Sequence, residues 1–290
     1  MPIETGTPPR SALLAAWGNA WLAGDVALPE FVTRVTAFDD QHVVLGLPHL
    51  DAPATAAEVD GLGQDPAPGW SPSPRDETTV DRLLTRLRAA GVARLRLVLP
   101  APGDVVGLPP PGAFTRAALT ASEGVLALRP DGTGTGLVPA LTHHGSPFDG
   151  TVTTVAWTAY AVVVRGPDPG PFLHDAEHDL RRGVVEAVSA LRTLDVARWR
   201  PEVAQALDDL RSQARRGLDD DELPGSYPQR ARQVLVQARQ LGAVVSLALQ
   251  DTGGAMDGRE AVGREQALRE LGRLVRRARV AAYNSYGVAS

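Results

Sequence analysis

The chain has 290 residues, with 29 basic and 34 acidic side chains, a net charge of -5, no cysteine and, because every basic residue is arginine, no lysine. Without lysine there is no Walker-type phosphate loop, Schiff-base amine or kinase-type ATP site; without cysteine there is no thiol nucleophile, cysteine-held zinc, iron–sulfur cluster or disulfide. The net negative charge argues against general nucleic-acid binding.

Ile3 is the single isoleucine, and Asn19 and Asn284 are the only asparagines. A GC-rich genome produces this pattern through codon usage. The hydrophobic share of 43% and charged share of 22% are those of a globular protein, and the length fits one large domain or two modest ones.

Taken in order, Ser11–Ala23 reads as a helix with Leu14, Trp17 and Trp21 in one apolar stripe and Gly24 as its stop. The run follows Arg10, but Asn19 interrupts it and no cleavage site follows, so it reads as a cytosolic helix rather than a signal peptide. Pro29 opens a second helix carrying Phe31, Val35 and Phe38, and His42–Leu47 reads as a strand. Residues 52–75 hold five prolines and three glycines and read as a flexible insert. Thr79–Ala90 is a helix with Leu83, Leu84 and Leu87 inward, and Arg94–Leu99 a strand. A Pro/Gly loop to Pro111, a helix around Ala113–Ser122 and a strand at Val125–Arg129 follow.

Asp131–Gly136 reads as a turn, Leu137–Leu141 as a strand, His143–Gly150 as a second turn and Thr151–Val164 as a long strand. The last run is too short and too rich in threonine for a membrane span. From Phe172 onward the pattern is helical, at about 172–196, 201–217, 228–250 and 258–286, the last opened by the capping pair Asp257 and Glu260. The predicted class is α+β. Residues 1–170 form a mixed, partly antiparallel sheet with flanking helices. Residues 171–290 form a helical region, either a bundle of its own or a cover for the sheet, packed with the first region as one unit.

The sharpest motif is His174-Asp175-Ala176-Glu177-His178, an H-x-x-E-H stretch. It resembles the inverted zinc-metallopeptidase signature over these five residues. That resemblance implies His174 and His178 as zinc ligands and Glu177 as base, with a downstream Glu such as Glu260 or Glu265 as third ligand, although neither matches the family's spacing. Helix geometry weighs against it. Leu173, Leu180, Val184, Ala187 and Leu191 define the buried stripe, which turns both histidines toward solvent and leaves Glu177 to pair with Arg181. A charged helix start is the preferred reading.

A second candidate is His143, His144 and Asp149, a possible general base or ligand set in the second turn. A third is the Leu99–Pro111 loop, whose ionisable residue Asp104 follows the end of a strand; it lacks a dinucleotide fingerprint and reads as a rigid connection. The last helix carries Arg269, Arg273, Arg276, Arg277 and Arg279 without an aromatic among them, so a solvated face is preferred over a nucleic-acid surface. Arg264 falls near the apolar side, where burial calls for a carboxylate partner. Trp17, Trp21, Trp157 and Trp199 read as packing, and there is no Gly-x-Ser-x-Gly elbow.

Three stretches carry a wider resemblance: Ala16–Gly24 (A-W-G-N-A-W-L-A-G), the Leu99–Gly107 loop, and Asp195–Pro201 (D-V-A-R-W-R-P). Together they resemble uncharacterised conserved proteins of high-GC actinobacteria, along much of the chain. The resemblance implies a cytoplasmic bacterial protein and brings no activity with it. The resulting expectation is a non-catalytic interaction or scaffold protein, a homo-oligomer or partner binder through its amphipathic helices, with no membrane association. A hydrolase using zinc at 174–178 is the alternative.

Overall fold

The computed structural model describes residues 7–47, 78–146, 150–165, 170–193, 222–250 and 258–287. The stretch at 52–75, the helix expected over 201–217, and Asp149, Trp199 and Asp257 lie outside the described residues. The chain divides into a sheet unit, Pro8–Gly170 with Asp221–Ser226, and a helical unit, Met1–Thr7 with Pro171–Asp220 and Tyr227–Ser290.

The sheet unit runs α1 (Arg10–Ala23), α2 (Leu28–Val35), β1 (Gln41–Leu45), α3 (Val80–Ala89), β2 (Arg94–Val98), α4 (Ala113–Ala121), β3 (Gly124–Leu128), β4 (Thr133–Ser146) and β5 (Gly150–Val163). Its five strands lie in the order β1-β5-β4-β3-β2. Strands β2 to β5 form an antiparallel meander, and β1 joins β5 in parallel, Gln41 beside Thr154 and Leu45 beside Thr158. The sheet is therefore mixed, and the chain is α+β.

β4 corrects the expected turns. It takes in Thr133–Gly136 at one end and His143–Ser146 at the other. The turn after β3 needs fewer residues than its glycines imply: Gly132 takes the left-handed φ of 82°, and Asp131 accepts hydrogen bonds from the Thr133 amide at 2.9 Å and hydroxyl at 2.7 Å. Gly134 and Gly136 belong to the strand. A Cβ at Gly136 would overlap the Phe114 ring, and one at Gly134 the Ala127 carbonyl. Glycine here marks close approach, not a bend. At the other end the β-branched residues of β5 extend the pairing, His143 opposite Thr153 and His144 opposite Val152.

Phe114 and Ala118 of α4 pack on one sheet face with Val98, Leu126, Val138 and Val162. Residues of the opposite parity, among them Leu95, Leu97, Val125, Leu137 and Trp157, are buried on the other face. α1 packs against β2, β3 and β4 there, with Gly18 on the Leu95 side chain. The single stripe expected for α1 understates its burial, since Ser11 to Trp21 are all buried. A helix buried on every side is apolar on every side.

That burial leaves polar backbone to be satisfied. Asn19 donates from Nδ2 to the Leu95 carbonyl and accepts the Leu95 amide at Oδ1, both at 2.7 Å. One amide side chain thus closes the outer edge of β2. Glu123 accepts the Ser11 amide at 2.8 Å and caps the start of α1, which has no side-chain cap of its own. Arg88 donates to the carbonyls of Trp21 and Leu22, each at 3.0 Å, and its guanidinium lies 4.0 Å from the Trp21 ring centre.

In the helical unit, α5 (Leu173–Thr193) and α6 (Gln229–Gln250) both pack on α7 (Gly258–Tyr283). Small residues set the spacing: a Cβ at Gly183 of α5 would overlap Leu274, and one at Gly242 of α6 would meet Val275 at 3.3 Å. The Tyr227 hydroxyl donates to the Tyr283 carbonyl at 2.9 Å, tying the start of α6 to the end of α7.

Asn19→Ala leaves the Leu95 amide and carbonyl buried without partners. It is expected to cost about 2–4 kcal/mol in urea unfolding; a loss below about 0.5 kcal/mol would contradict this role.

Candidate functional site

His174, Glu177 and His178 lie in the first turns of α5. The buried residues Ala176, Leu180, Gly183 and Ala187 form its inner face, and both histidines are exposed. Glu177 is buried, and guanidinium groups take both of its carboxylate oxygens: Arg181 Nη2 donates to Oε1, and Arg230 Nε, from α6, donates to Oε2 at 2.6 Å. Arg230 Nη2 also donates to His174 Nδ1 at 2.9 Å. Burial pushes the Glu177 carboxyl up, but Arg230 and Arg181 outweigh it and hold the group below the usual glutamate range. A carboxylate held this way is a weak base. With Nδ1 of His174 accepting, its ring proton sits on Nε2, the nitrogen that would otherwise be free to face a metal. Glu265, named above as a possible third ligand, is exposed and accepts from Arg269 at 2.6 Å. Among the described residues, no group of three or more His, Asp or Glu side chains is placed to hold a metal ion.

His143 and His144 belong to β4, not to a turn, and strand alternation sends them to opposite faces. Both are exposed, and His143 Nδ1 lies 3.1 Å from the Thr153 hydroxyl. They belong to the sheet unit, and His174 and His178 to the helical unit.

Asp104 is buried, and its amide and carbonyl bond to Ala101 at 2.8 and 3.0 Å. Arg96, buried on β2, donates to the Gly107 carbonyl at 2.9 Å. The loop is tied back to its own strand, as a rigid connection requires. On α7, Arg269 pairs with Glu265 and Arg273 with Glu270. Arg264 donates to the Ala248 carbonyl near the end of α6 at 2.9 Å. Arg264 is half-buried there, and a helix-end carbonyl takes one of its donors.

The network that sequence reasoning missed lies around His42. It is the buried histidine among those described. Arg10 holds Asp39 in a two-pronged ion pair, Nε to Oδ2 at 2.9 Å and Nη2 to Oδ1 at 2.7 Å. Trp157 Nε1 donates to His42 Nδ1 at 3.2 Å. An indole nitrogen only donates, so Nδ1 carries no proton; Nε2 does, and it donates to Asp39 Oδ2 at 3.3 Å. Burial pushes the Asp39 carboxyl up, but Arg10 and His42 outweigh it and hold it below the usual aspartate range. For His42, burial pushes the imidazole down and outweighs the opposing pull of Asp39. Both ring nitrogens are engaged, so this dyad is structural. The signal was available: on β1, His42 shares a parity with buried Val44.

Residues 11–171 match the family model described as Rv1486c-like protein, N-terminal domain, and residues 174–280 match its C-terminal domain. The chain is 31% identical to "Uncharacterized protein Rv1486c" of Mycobacterium tuberculosis, over 94% of this chain and 95% of that protein. It is 31% identical to "Uncharacterized protein ML1804" of Mycobacterium leprae, over 95% and 96%. No solved structure matches. No described helix is long and apolar enough to cross a membrane.

Arg230→Met strips one guanidinium from Glu177. Because Glu177 titrates low in the folded chain, its ion pair stabilises above the ordinary glutamate range, and that stability is lost as pH falls through the lowered folded value. The variant is expected to be less stable at neutral pH and to converge with the parent in acid. A difference that is constant with pH would contradict the ion pair.

Proposed function

The chain belongs to the Rv1486c-like protein family, and within it we propose a non-catalytic role: binding a protein partner through the outer face of α5. One observation carries this reading. Val185 is 69% exposed and Val188 45% exposed, on the side of α5 away from Ala176, Leu180, Gly183 and Ala187. The inner residues pack the helix on α7. α5 thus presents two exposed valines on an outer side otherwise lined by Arg181, Arg182 and Ser189. Single exposed valines are ordinary; a pair one turn apart, opposite a packed face, is what a helix-in-groove or helix-on-helix contact uses. His174, His178 and Arg181 lie on the same outer side and would form the polar rim.

A second copy of the chain is the simplest partner, since symmetric dimers are the commonest oligomers. Sedimentation velocity across a range of concentrations is expected to show reversible dimerisation. Val185→Glu with Val188→Glu should abolish it while leaving the melting temperature within about 2 °C, as surface substitutions do. A strictly monomeric parent protein would contradict the proposal. The competing reading, a zinc hydrolase at His174, Glu177 and His178, is tested by metal analysis of untagged protein. Stoichiometric zinc lost in His174→Ala would replace the interaction reading with that one.

A further inference from the structure

β1 is an edge strand whose outer side is bridged at Val44 by Thr78, and with β5 it makes the one parallel pair of the described sheet. The chain of contacts through Arg10, Asp39, His42 and Trp157 straddles this pair, with His42 on β1 and Trp157 on β5 two positions beyond the residue that faces it, Val155. The side chains of Asp39 and His42 are 0% and 2% exposed. We propose that this network is an acid-sensitive latch on the β1 edge: a second proton on His42 breaks the indole–imidazole hydrogen bond and releases β1 from β5.

The proton balance is simple. The resting ring carries its proton on Nε2 and directs it to Asp39, and Arg10 already neutralises Asp39. A further proton, taken from solvent, can go only to Nδ1, which faces the Trp157 N–H. Two donors then confront each other in the core, and the buried cluster passes from neutral to singly positive. Among the described residues, Arg10 and Asp39 are the charged groups that act on the ring. α1 contributes the Arg10 cation, and the turn before β1 contributes Asp39. α3, which also packs on β1, directs Arg86 to the Leu47 carbonyl.

The sign follows from burial lowering the proton affinity of His42 in the folded chain. Once β1 opens, the ring regains its ordinary affinity, near pH 6.5. Opening therefore binds a proton between that value and the lower folded one. The closed state is fully favoured above about pH 6.5 and loses ground as pH falls, about tenfold per pH unit, until the folded ring itself titrates.

Hydrogen exchange of the full-length chain between pH 7.5 and 5.5, corrected for intrinsic rates, reads this directly. Protection over residues 41–45 and 154–158 is expected to fall about tenfold per unit below about pH 6.5, with β3 unchanged. His42→Gln should remove that slope. A flat profile in the parent chain, or an equal slope in His42→Gln, would overturn the latch. Ring nitrogen shifts of the parent protein at pH 7.5 test it without any variant: His42 is expected with Nε2 protonated, and an Nδ1-protonated ring would overturn it.

Discussion

Helix α1, buried from Ser11 to Trp21, brings its first amide against the core without an intrahelical partner and covers the outer edge of β2, and the sheet unit is organised around satisfying those groups. Along α1, Glu123 receives the Ser11 amide, Arg88 holds the carbonyls of Trp21 and Leu22, and Asn19 fills both backbone sites of Leu95 on the β2 edge. An unpaired buried amide or carbonyl costs about 1–3 kcal/mol. Misplacing Asn19 and Glu123 would therefore consume much of the few kcal/mol by which a domain is stable. Asparagine suits the middle position because its short amide donates and accepts at once, presenting to β2 the two groups that a neighbouring strand would.

The absence of lysine has a structural counterpart. Arg88 caps α1, Arg129 donates to the Ala90 carbonyl at the end of α3, Arg264 to Ala248 on α6, and Arg96 to Gly107 within its loop. Each is a fixed, planar donor on a backbone carbonyl, three of them near a helix C-terminus, where a cation also meets the dipole. The same geometry governs the sharpest motif in the chain. Arg181 and Arg230 turn Glu177 from a potential base into the centre of an ion-pair cluster that ties α5 to α6. Its histidines are left on the outer side of α5, alongside Val185 and Val188.

Local patterns made most of the architecture legible. The stripe Leu83–Leu84–Leu87, the stop at Gly24 and the proline at the start of α2 each act within a few residues, and α3, α1 and α2 lie where those signals put them. The inward tilt of Glu177 toward Arg181 was likewise readable, because i to i+4 is a property of one helix. What escaped was long-range. Gly134 and Gly136 imitate a turn until Phe114 is known to sit against β4. Arg230 reaches Glu177 across 53 residues of chain, and Trp157 reaches His42 across 115, without a spacing that marks either contact. His42 itself could have been suspected from its parity with Val44, but its partners could not.

Native-state hydrogen exchange at the Leu95 amide tests the organising constraint most directly. An amide on the outer side of an edge strand normally exchanges through small local openings. If Asn19 serves β2 as a neighbouring strand would, the Leu95 amide exchanges only with global unfolding, at the same free energy as Val125 on β3. Exchange at Leu95 that is independent of denaturant and much faster than at Val125 would contradict the account.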